Sequence, residues 1–447
     1  MNQTLSLTRD PIPGLIKKIA LPASVGTFFQ TMYNIVDTFY AGKISPEALS
    51  ALAKSFPIYF IIIAACIGVT VGGTSLIANS IGEGSREKVL SYFSHTIIYG
   101  ILISILVTFL GLKFSEDVFL LMGSTNEVVL LGLKYTNVIF SGSIIFILVV
   151  ALNALLHAEG DTKTYRNILI LSFFLNIILN PIFIFGFAFI PSMGITGIGI
   201  ATILSQLIGL LILLFKILKN NRIINFSIKY FYPKINILKN LFFQSAPISA
   251  ALLSFTVGNT IILSYVGIFG EYAIAGYGSA ARFEQVLLLP VLGLNTAIIS
   301  IIAQNYGAKN FLRVKESYFK AIKYGFVIMI VSGLIVYLSA DKIVSIFSNN
   351  PNVIEFGAKY LKISAFIFPA YPIFFISNGF FMSLKKSENA MISNLIRNIF
   401  LPLFVFYFVK SMNGNFNTFF WAYCFSNWHY VSTLYIFVIF YIKKKLN

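Results

Sequence analysis

Long apolar stretches without a charged side chain recur along the whole chain, and charged residues are concentrated between them. Runs such as IIFILVVALNALL (144–156) are apolar on every side, which favours helices over the alternating strands of a membrane barrel. A helix needs about 20 mainly apolar residues to cross a bilayer. The pattern therefore predicts twelve membrane-spanning helices, at 15–40, 50–79, 91–112, 135–156, 167–187, 195–215, 241–266, 275–303, 318–338, 360–383, 391–409 and 416–442.

Composition supports this interpretation. Of the 447 residues, 57% are hydrophobic and only 11% are charged, whereas soluble domains average about 25% charged residues. This composition argues against a water-soluble enzyme of this size, and the predicted fold class is an all-α polytopic membrane protein. The sequence contains no P-loop, nucleotide fingerprint or nucleophile elbow. We expect no enzymatic activity and no cofactor.

The Lys and Arg residues indicate the orientation. Most of the 33 fall in the loops on the side of the two termini, and by the positive-inside rule this side is cytoplasmic. We expect a multi-pass protein of the inner (plasma) membrane whose termini and 216–240 linker are cytoplasmic, with no cleaved signal peptide. The net charge of +17 is explained by topology and anionic lipid, and no nucleic-acid partner is implied.

An internal repeat organises the chain. At a constant offset of 225 residues the second half repeats many Pro, Gly, Asn and Tyr positions of the first, which shared hydrophobicity alone does not produce. Matched pairs include Pro22 with Pro247, Asn34 with Asn259, Gly68 with Gly293, and Asn153 with Asn378.

Six spans in each half give the two halves the same orientation, as in transporters built from parallel repeats. The sequence thus predicts two pseudo-symmetric six-helix bundles: an amino-terminal lobe (1–215), a cytoplasmic linker (216–240) and a carboxy-terminal lobe (241–447).

Two acidic residues, Asp37 and Glu284, lie inside predicted spans, where a carboxylate costs about 2.5–3.5 kcal/mol at the centre of a helix. Asp37 is interpreted as a cation or proton site, with a helix-packing aspartate as the alternative. Polar residues at helical spacing from Asp37, or on other spans of the first lobe, are predicted to surround it. They are Gln30, Tyr33, Asn34, Asn153, Asn176, Asn180, Thr202 and Gln206.

The remaining candidate groups are interpreted as structural. Glu284 and Arg282 are two residues apart and do not face each other on a helix, so Glu284 is expected to pair with another helix in a structural or gating role. Cys66, Cys424 and the three scattered His residues show no metal-ligand spacing. Pro22, fifteen residues before Asp37, is predicted to form a hinge in the first span.

The chain resembles the multidrug and toxic compound extrusion (MATE) family, nearest its DNA-damage-inducible F-like branch, in six motifs. They are LPASVGTFFQTMYNIVDTFYAG (21–42), ALNALLHAEGDTK (151–163), LNIILNPIFIFG (175–186), GITGIGIATILSQ (194–206), AARFEQ (280–285) and AQNYGAKN (303–310). The resemblance implies two six-helix lobes that exchange a substrate for Na⁺ or H⁺.

The family's functional positions fall on specific residues of this chain. The first-helix acid falls on Asp37, the bending proline on Pro22 and the amino-lobe tyrosine on Tyr33. The other matched positions are Asn153, Asn176 and Thr202. One departure matters: many members of this branch have a second Asp in the fifth helix, where this chain has Asn180. The seventh- and tenth-helix acids of the other bacterial branch are also missing.

With one carboxylate, the predicted coupling site (Asp37, Asn176, Asn180 and Thr202) carries one charge per cycle, either Na⁺ at Asp37 or a proton. Gln30, Tyr33, Asn34, Asn153 and Gln206 are predicted to contact a small organic, cationic substrate. The expected function is multidrug efflux by alternating access, carried out by a monomer in membrane lipid. A flippase for a lipid-linked saccharide is the alternative.

Overall fold

The computed structural model describes residues 5–219 and 228–446, and this part of the chain is almost entirely helical. The helices before residue 220 are α1 Ile12–Ile44, α2 Pro46–Gly82, α3 Arg86–Leu121, α4 Asn126–Ser141, α5 Ser143–Ala158, α6 Lys163–Phe185 and α7 Ile195–Lys219. After residue 227 follow α8 Ile235–Val266, α9 Glu271–Leu287, α10 Leu289–Gly307, α11 Phe311–Ser345, α12 Pro351–Ser364, α13 Ala370–Ser383, α14 Ser387–Leu395, α15 Leu401–Ser411 and α16 Phe416–Lys445.

Every one of the twelve predicted spans falls on helical structure, and four fall on two consecutive helices. Those four are 135–156 (α4 and α5), 275–303 (α9 and α10), 360–383 (α12 and α13) and 391–409 (α14 and α15). The α4–α5 break at Gly142 bends the chain by 42°. By length and composition, eight of the described helical segments would cross a membrane, or nine with the bent α4–α5 pair, so twelve spans remain a prediction.

A turn joins the fifth and sixth predicted spans. α6 ends at Phe185 and α7 begins at Ile195, with a single bridge between Phe187 and Ile190. Gly186 has φ of 84°, and a Cβ there would overlap the Ile190 carbonyl oxygen. Position 186 of this turn therefore requires glycine.

Packing divides the chain into two units that differ from the predicted boundaries. Val25–Ser249 form one unit, while the described residues up to Ser24 pack with those from Ala250 onward. α1 and α8 therefore each begin in one unit and continue in the other. Because α1 and α8 are each one continuous helix, the sequence pattern does not reveal this division, and the predicted linker at 216–240 does not coincide with it.

The beginnings of α1 and α8 each pack in the other unit from the rest of the helix, and their contacts match at the repeat offset. In one unit, Gly68 of α2 packs against Ser249 of α8; in the other, Gly293 of α10 packs against Ser24 of α1. A Cβ at either glycine would overlap the serine hydroxyl. Because Gly68 matches Gly293 and Ser24 matches Ser249 at the 225-residue offset, the same close helix contact is built twice.

α3 and α4 pack through two reciprocal glycine–phenylalanine contacts. The ring of Phe140 fills the space over Gly111, and the ring of Phe119 fills the space over Gly132. Both rings are fully buried. Since protein interiors are close-packed, neither ring has free space into which to move.

Gly132→Ala is therefore expected to destabilise the protein by about 1–3 kcal/mol through overpacking. The matched control is Gly278→Ala, within α9, where no atom lies within 4 Å of an added Cβ. Thermal unfolding in detergent, followed by size-exclusion fluorescence, measures both. If Gly132→Ala unfolded at the same temperature as Gly278→Ala, the close packing of Phe119 against Gly132 would be contradicted.

The described part of the linker contacts α3 through His95, within the unit Val25–Ser249. Nε2 of His95 accepts a hydrogen bond from the backbone N–H of Lys234 (2.8 Å), and Nδ1 lies 2.8 Å from the Ser91 carbonyl. A short 3₁₀ turn, Ile228–Phe231, precedes this contact. The contact agrees with the structural role predicted for His95, while linker residues 220–227 lie outside the described residues.

Candidate functional site

The site predicted around Asp37 lies within one packing unit, at the meeting of α1, α6 and α7. Asp37 comes from α1, Asn176 and Asn180 from one face of α6, and Thr202 from α7. Asn176 and Asn180 are fully buried, and Asp37 is 4% exposed. The structure therefore assembles, in a buried position, the carboxylate and neutral oxygens that the sequence grouped together.

Three neutral donors hold the Asp37 carboxylate. The side-chain amides of Asn176 and Asn180 each donate to Oδ1 at 3.0 Å, and the Thr202 hydroxyl donates to Oδ2 at 3.2 Å. Within the described residues, no Lys, Arg or His side chain forms an ion pair or hydrogen bond with Asp37. The site thus has one uncompensated negative charge whenever Asp37 is ionised.

The amide groups of Asn176 and Asn180 can face either the ionised carboxylate alone or a bound cation. Asn180 also donates to Asn176 Oδ1 (3.1 Å), and Asn180 Oδ1 is buried without a hydrogen-bond partner in the described chain. A buried acceptor without a partner is unfavourable. Rotation of an asparagine amide exchanges its N–H donors for a carbonyl oxygen, so these side chains can surround the carboxylate alone or help to coordinate a cation.

A proline next to Asn180 shapes this part of α6. Pro181 has no N–H, so the carbonyl of Ile177 loses its intrahelical partner. The hydroxyl of Tyr40, on α1, donates to that carbonyl at 3.2 Å. Tyr40 was not among the predicted site residues. Its signals were its position three residues after Asp37 and the proline in the fifth span.

Tyr33 also joins the cluster, whereas other predicted residues lie outside its hydrogen bonds. The Tyr33 hydroxyl donates to the Thr202 carbonyl at 3.2 Å.

The other predicted substrate residues lie apart from these hydrogen bonds. Asn34 is exposed and accepts a hydrogen bond from the Tyr59 hydroxyl (3.1 Å). Asn153 is buried, and its amide nitrogen lies 3.1 Å from His157 Nε2. Gln30 is exposed and Gln206 half-buried.

The start of α6 is fixed by Asp161. Its Oδ1 accepts from the Thr164 backbone N–H (3.0 Å), and its Oδ2 accepts from Lys216 at the end of α7 (3.2 Å). Burial alone would raise the pKa of Asp161, but the bonds from Thr164 and the Lys216 charge hold it below its ordinary value. This ionised carboxylate ties α6 to α7 near the end away from the turn.

A second buried carboxylate, Glu284 of α9, lies in the other packing unit and is 7% exposed. Its Oε2 accepts from the Tyr360 hydroxyl (2.6 Å), and its Oε1 accepts from the Tyr371 hydroxyl. Glu284 therefore pairs with other helices, as predicted, and Arg282 is exposed. Among the described residues no cluster of three or more His, Cys, Asp and Glu side chains is suited to a metal.

The family model of MatE matches residues 22–182 and again 247–408. The chain belongs to the MatE family. The two matches begin 225 residues apart, which confirms the internal repeat. MATE proteins are membrane transporters, so this chain is an integral, multi-pass membrane protein of a transporter family.

The chain is similar over most of its length to named relatives. The FAD transporter of Shewanella oneidensis is 25% identical over 406 residues, covering 90% of this chain and 89% of the relative. The "Probable multidrug resistance protein NorM" of Thermotoga maritima is 28% identical over 366 residues, covering 80% and 77%. A MATE crystal structure in the straight conformation superposes with a TM-score of 0.91 at 25% identity, covering 99% of both chains. The fold is thus the MATE fold, and named relatives support a role in multidrug efflux.

Proposed function

We propose that this protein is a secondary active antiporter that exports small organic, cationic compounds in exchange for Na⁺ or H⁺ by alternating access. The observation that carries the proposal is Asp37, a buried carboxylate with three neutral donors and no basic partner among the described residues. A buried, uncompensated charge is costly in a membrane helix. A cation or a proton from outside the protein removes that cost, which is what a coupling site requires.

The ion set follows from the atoms around Asp37. For Na⁺, the ligands are the carboxylate together with neutral oxygens of Asn176, Asn180 and Thr202, since carboxylates and carbonyls suit hard cations. For H⁺, the protonated carboxyl keeps the same neighbours as hydrogen-bond partners. In both cases one elementary charge enters the site per cycle.

The conformational step is assigned to α1. Pro22 is buried two residues before Ser24, where the packing of α1 changes from one unit to the other. Occupancy of Asp37 changes the charge held by the later part of α1, and Pro22 weakens the helix at the change of unit. We therefore assign Pro22 as the hinge that links ion binding to substrate release.

Substrate contact is assigned to five polar or aromatic residues on α1, α5 and α7. Gln30 and Asn34 are exposed on α1, Gln206 is half-buried on α7, and Tyr33 and Asn153 are buried. Exposed amides and aromatic side chains suit organic cations through hydrogen bonds and cation–π contact. We also propose that the chain crosses the membrane twelve times and belongs to the DNA-damage-inducible F-like branch. The protein is proposed to act as a monomer in the plasma membrane, with both termini in the cytoplasm.

A second candidate substrate is favoured by one relative. The Shewanella oneidensis protein that covers 90% of this chain is named an FAD transporter. A flavin nucleotide is aromatic but anionic, which differs from the organic cation expected from sequence. Flavins therefore belong in any substrate screen.

Efflux of a fluorescent organic cation from proteoliposomes, with Na⁺ and pH gradients imposed separately, tests the proposal. We expect export driven by one of the two gradients and abolished by an ionophore that collapses that gradient. Export that continues at the same rate without either gradient would contradict antiport.

A further inference from the structure

Arg397 is a buried cation in the carboxy-terminal half, 6% exposed, within the π-helical turn Ile396–Phe400. Its Nε donates to Asn427 Oδ1 at 3.0 Å. The guanidinium lies 4.4 Å from the ring centroid of Phe374 and 5.1 Å from that of Tyr371. Single π-turns inside helices occur frequently at functional sites, so the position of this arginine merits a functional explanation.

The pairing around Arg397 is not that of a structural salt bridge. Glu284 interacts electrostatically with Arg397, but both of its oxygens accept tyrosine hydroxyls. Tyr371 serves both charges, with its hydroxyl on Glu284 and its ring facing the guanidinium. A structural pair would place the guanidinium fork on the carboxylate. Here the tyrosine hydroxyls occupy both carboxyl oxygens of Glu284, and the guanidinium fork is left open.

The two Nη groups have no acceptor in the described chain. They are also absent from the fully enclosed polar atoms that lack a partner, so each Nη group keeps some accessible surface. Four N–H donors of a buried cation without acceptors are strongly unfavourable. Their geometry, two parallel N–H donors in a plane, fits a carboxylate or a phosphate.

The repeat shows what is unusual about this charge. By order in the two halves, the helical segment 387–411 corresponds to α6 and α16 corresponds to α7. In the first half these elements bring neutral side chains to an acid, and in the second they bring Arg397 and Asn427 together. The acid of the first half thus has only neutral partners among the described residues, whereas the acid of the second half lies near a fixed cation.

We infer that Arg397 is a substrate-binding residue that takes the anionic group, a carboxylate or phosphate, of the transported compound. The inference rests on the proposed transport function and extends its substrate class from organic cations to aromatic compounds that carry such a group. The aromatic rings of Phe374 and Tyr371 hold the guanidinium in place, and Glu284 lowers the net charge so that an anion binds reversibly.

Riboflavin and flavin mononucleotide are a matched pair of probes because they differ by one phosphate and both fluoresce. Titration of each into the full-length protein in phosphatidylcholine nanodiscs measures the preference for the anionic group. We expect the wild type to bind the nucleotide about tenfold or more tightly than riboflavin, the range of a charge-assisted, bidentate contact.

Variants separate the guanidinium from general effects of folding. Arg397→Gln should remove the preference, and Arg397→Lys, which keeps the charge without the fork, should retain part of it. Glu284→Gln should increase the preference, because a repelling charge is removed. Arg86→Gln, at an exposed site on α3, is the matched control and should leave the preference unchanged.

Equal binding of both flavins to the wild type, or no binding of the nucleotide, would overturn the inference. An unchanged preference in folded Arg397→Gln would overturn it as well. Loss of the preference when phosphatidylglycerol replaces phosphatidylcholine would show that a lipid headgroup occupies Arg397 instead. Efflux of an organic cation is measured separately, so failure here is distinguishable from failure of the proposed antiport.

Discussion

Asp37→Asn is expected to abolish gradient-driven efflux while leaving the protein folded. Asparagine has nearly the same volume and still offers an oxygen to the donors on α6 and α7, but it binds neither a proton nor Na⁺ as a charge partner. If occupancy no longer shifts the conformational equilibrium, the population of the releasing state falls by about 100-fold. Initial rates in everted vesicles, normalised to the amount of folded protein, measure the effect.

Asp117→Asn is the matched control, since Asp117 is an exposed acid on α3. It should transport at the wild-type rate. Asp37→Glu keeps the acid on a longer side chain and should retain partial, gradient-dependent transport. Full efflux in Asp37→Asn would show that the buried carboxylate is a helix-packing residue and that coupling lies elsewhere.

Asn180→Asp is expected to double the charge coupled to each substrate molecule. The new carboxylate would lie beside Asp37, because Asn180 Nδ2 is 3.0 Å from Asp37 Oδ1, and repulsion between two carboxylates at that distance favours uptake of a second cation or proton. For an uncharged substrate at zero membrane potential, a tenfold ion gradient sustains about a tenfold substrate gradient with one ion and about a 100-fold gradient with two.

The steady-state substrate ratio across proteoliposomes of Asn180→Asp measures this stoichiometry. Asn167→Asp makes the same change at an exposed position on α6 and should keep the wild-type ratio. A folded, active Asn180→Asp protein with the wild-type ratio would contradict the assignment of Asn180 to the ion site.

The cluster around Asp37 was predictable because its members are marked individually in the sequence. A charge in an apolar span, asparagines four residues apart and a threonine in the next span each stand out, and the family resemblance relates their positions. Helix spacing does not show which face of α1 meets α6. The contact of Tyr40 with the Ile177 carbonyl therefore required the structure, although Pro181 marked the carbonyl that needed a partner.

The cluster around Glu284 and Arg397 was much less predictable. Its members come from α9, α12, α13, the π-turn and α16, and no periodicity relates positions so far apart in the chain. Glu284 and Arg397 were visible only as charges inside predicted spans. The division of α1 and α8 between two packing units was equally hidden, because each remains one continuous helix on both sides of the change.

The most direct test of the central claim, that Asp37 is the coupling site of an antiporter, runs the exchange in reverse. Proteoliposomes are loaded with substrate and diluted into substrate-free buffer, and uptake of ²²Na⁺ or H⁺ is followed with the membrane potential held at zero. We predict substrate-driven uptake of one of these ions by the wild type and none by Asp37→Asn. Substrate release without ion uptake in the wild type, or equal ion uptake in Asp37→Asn, would contradict the claim.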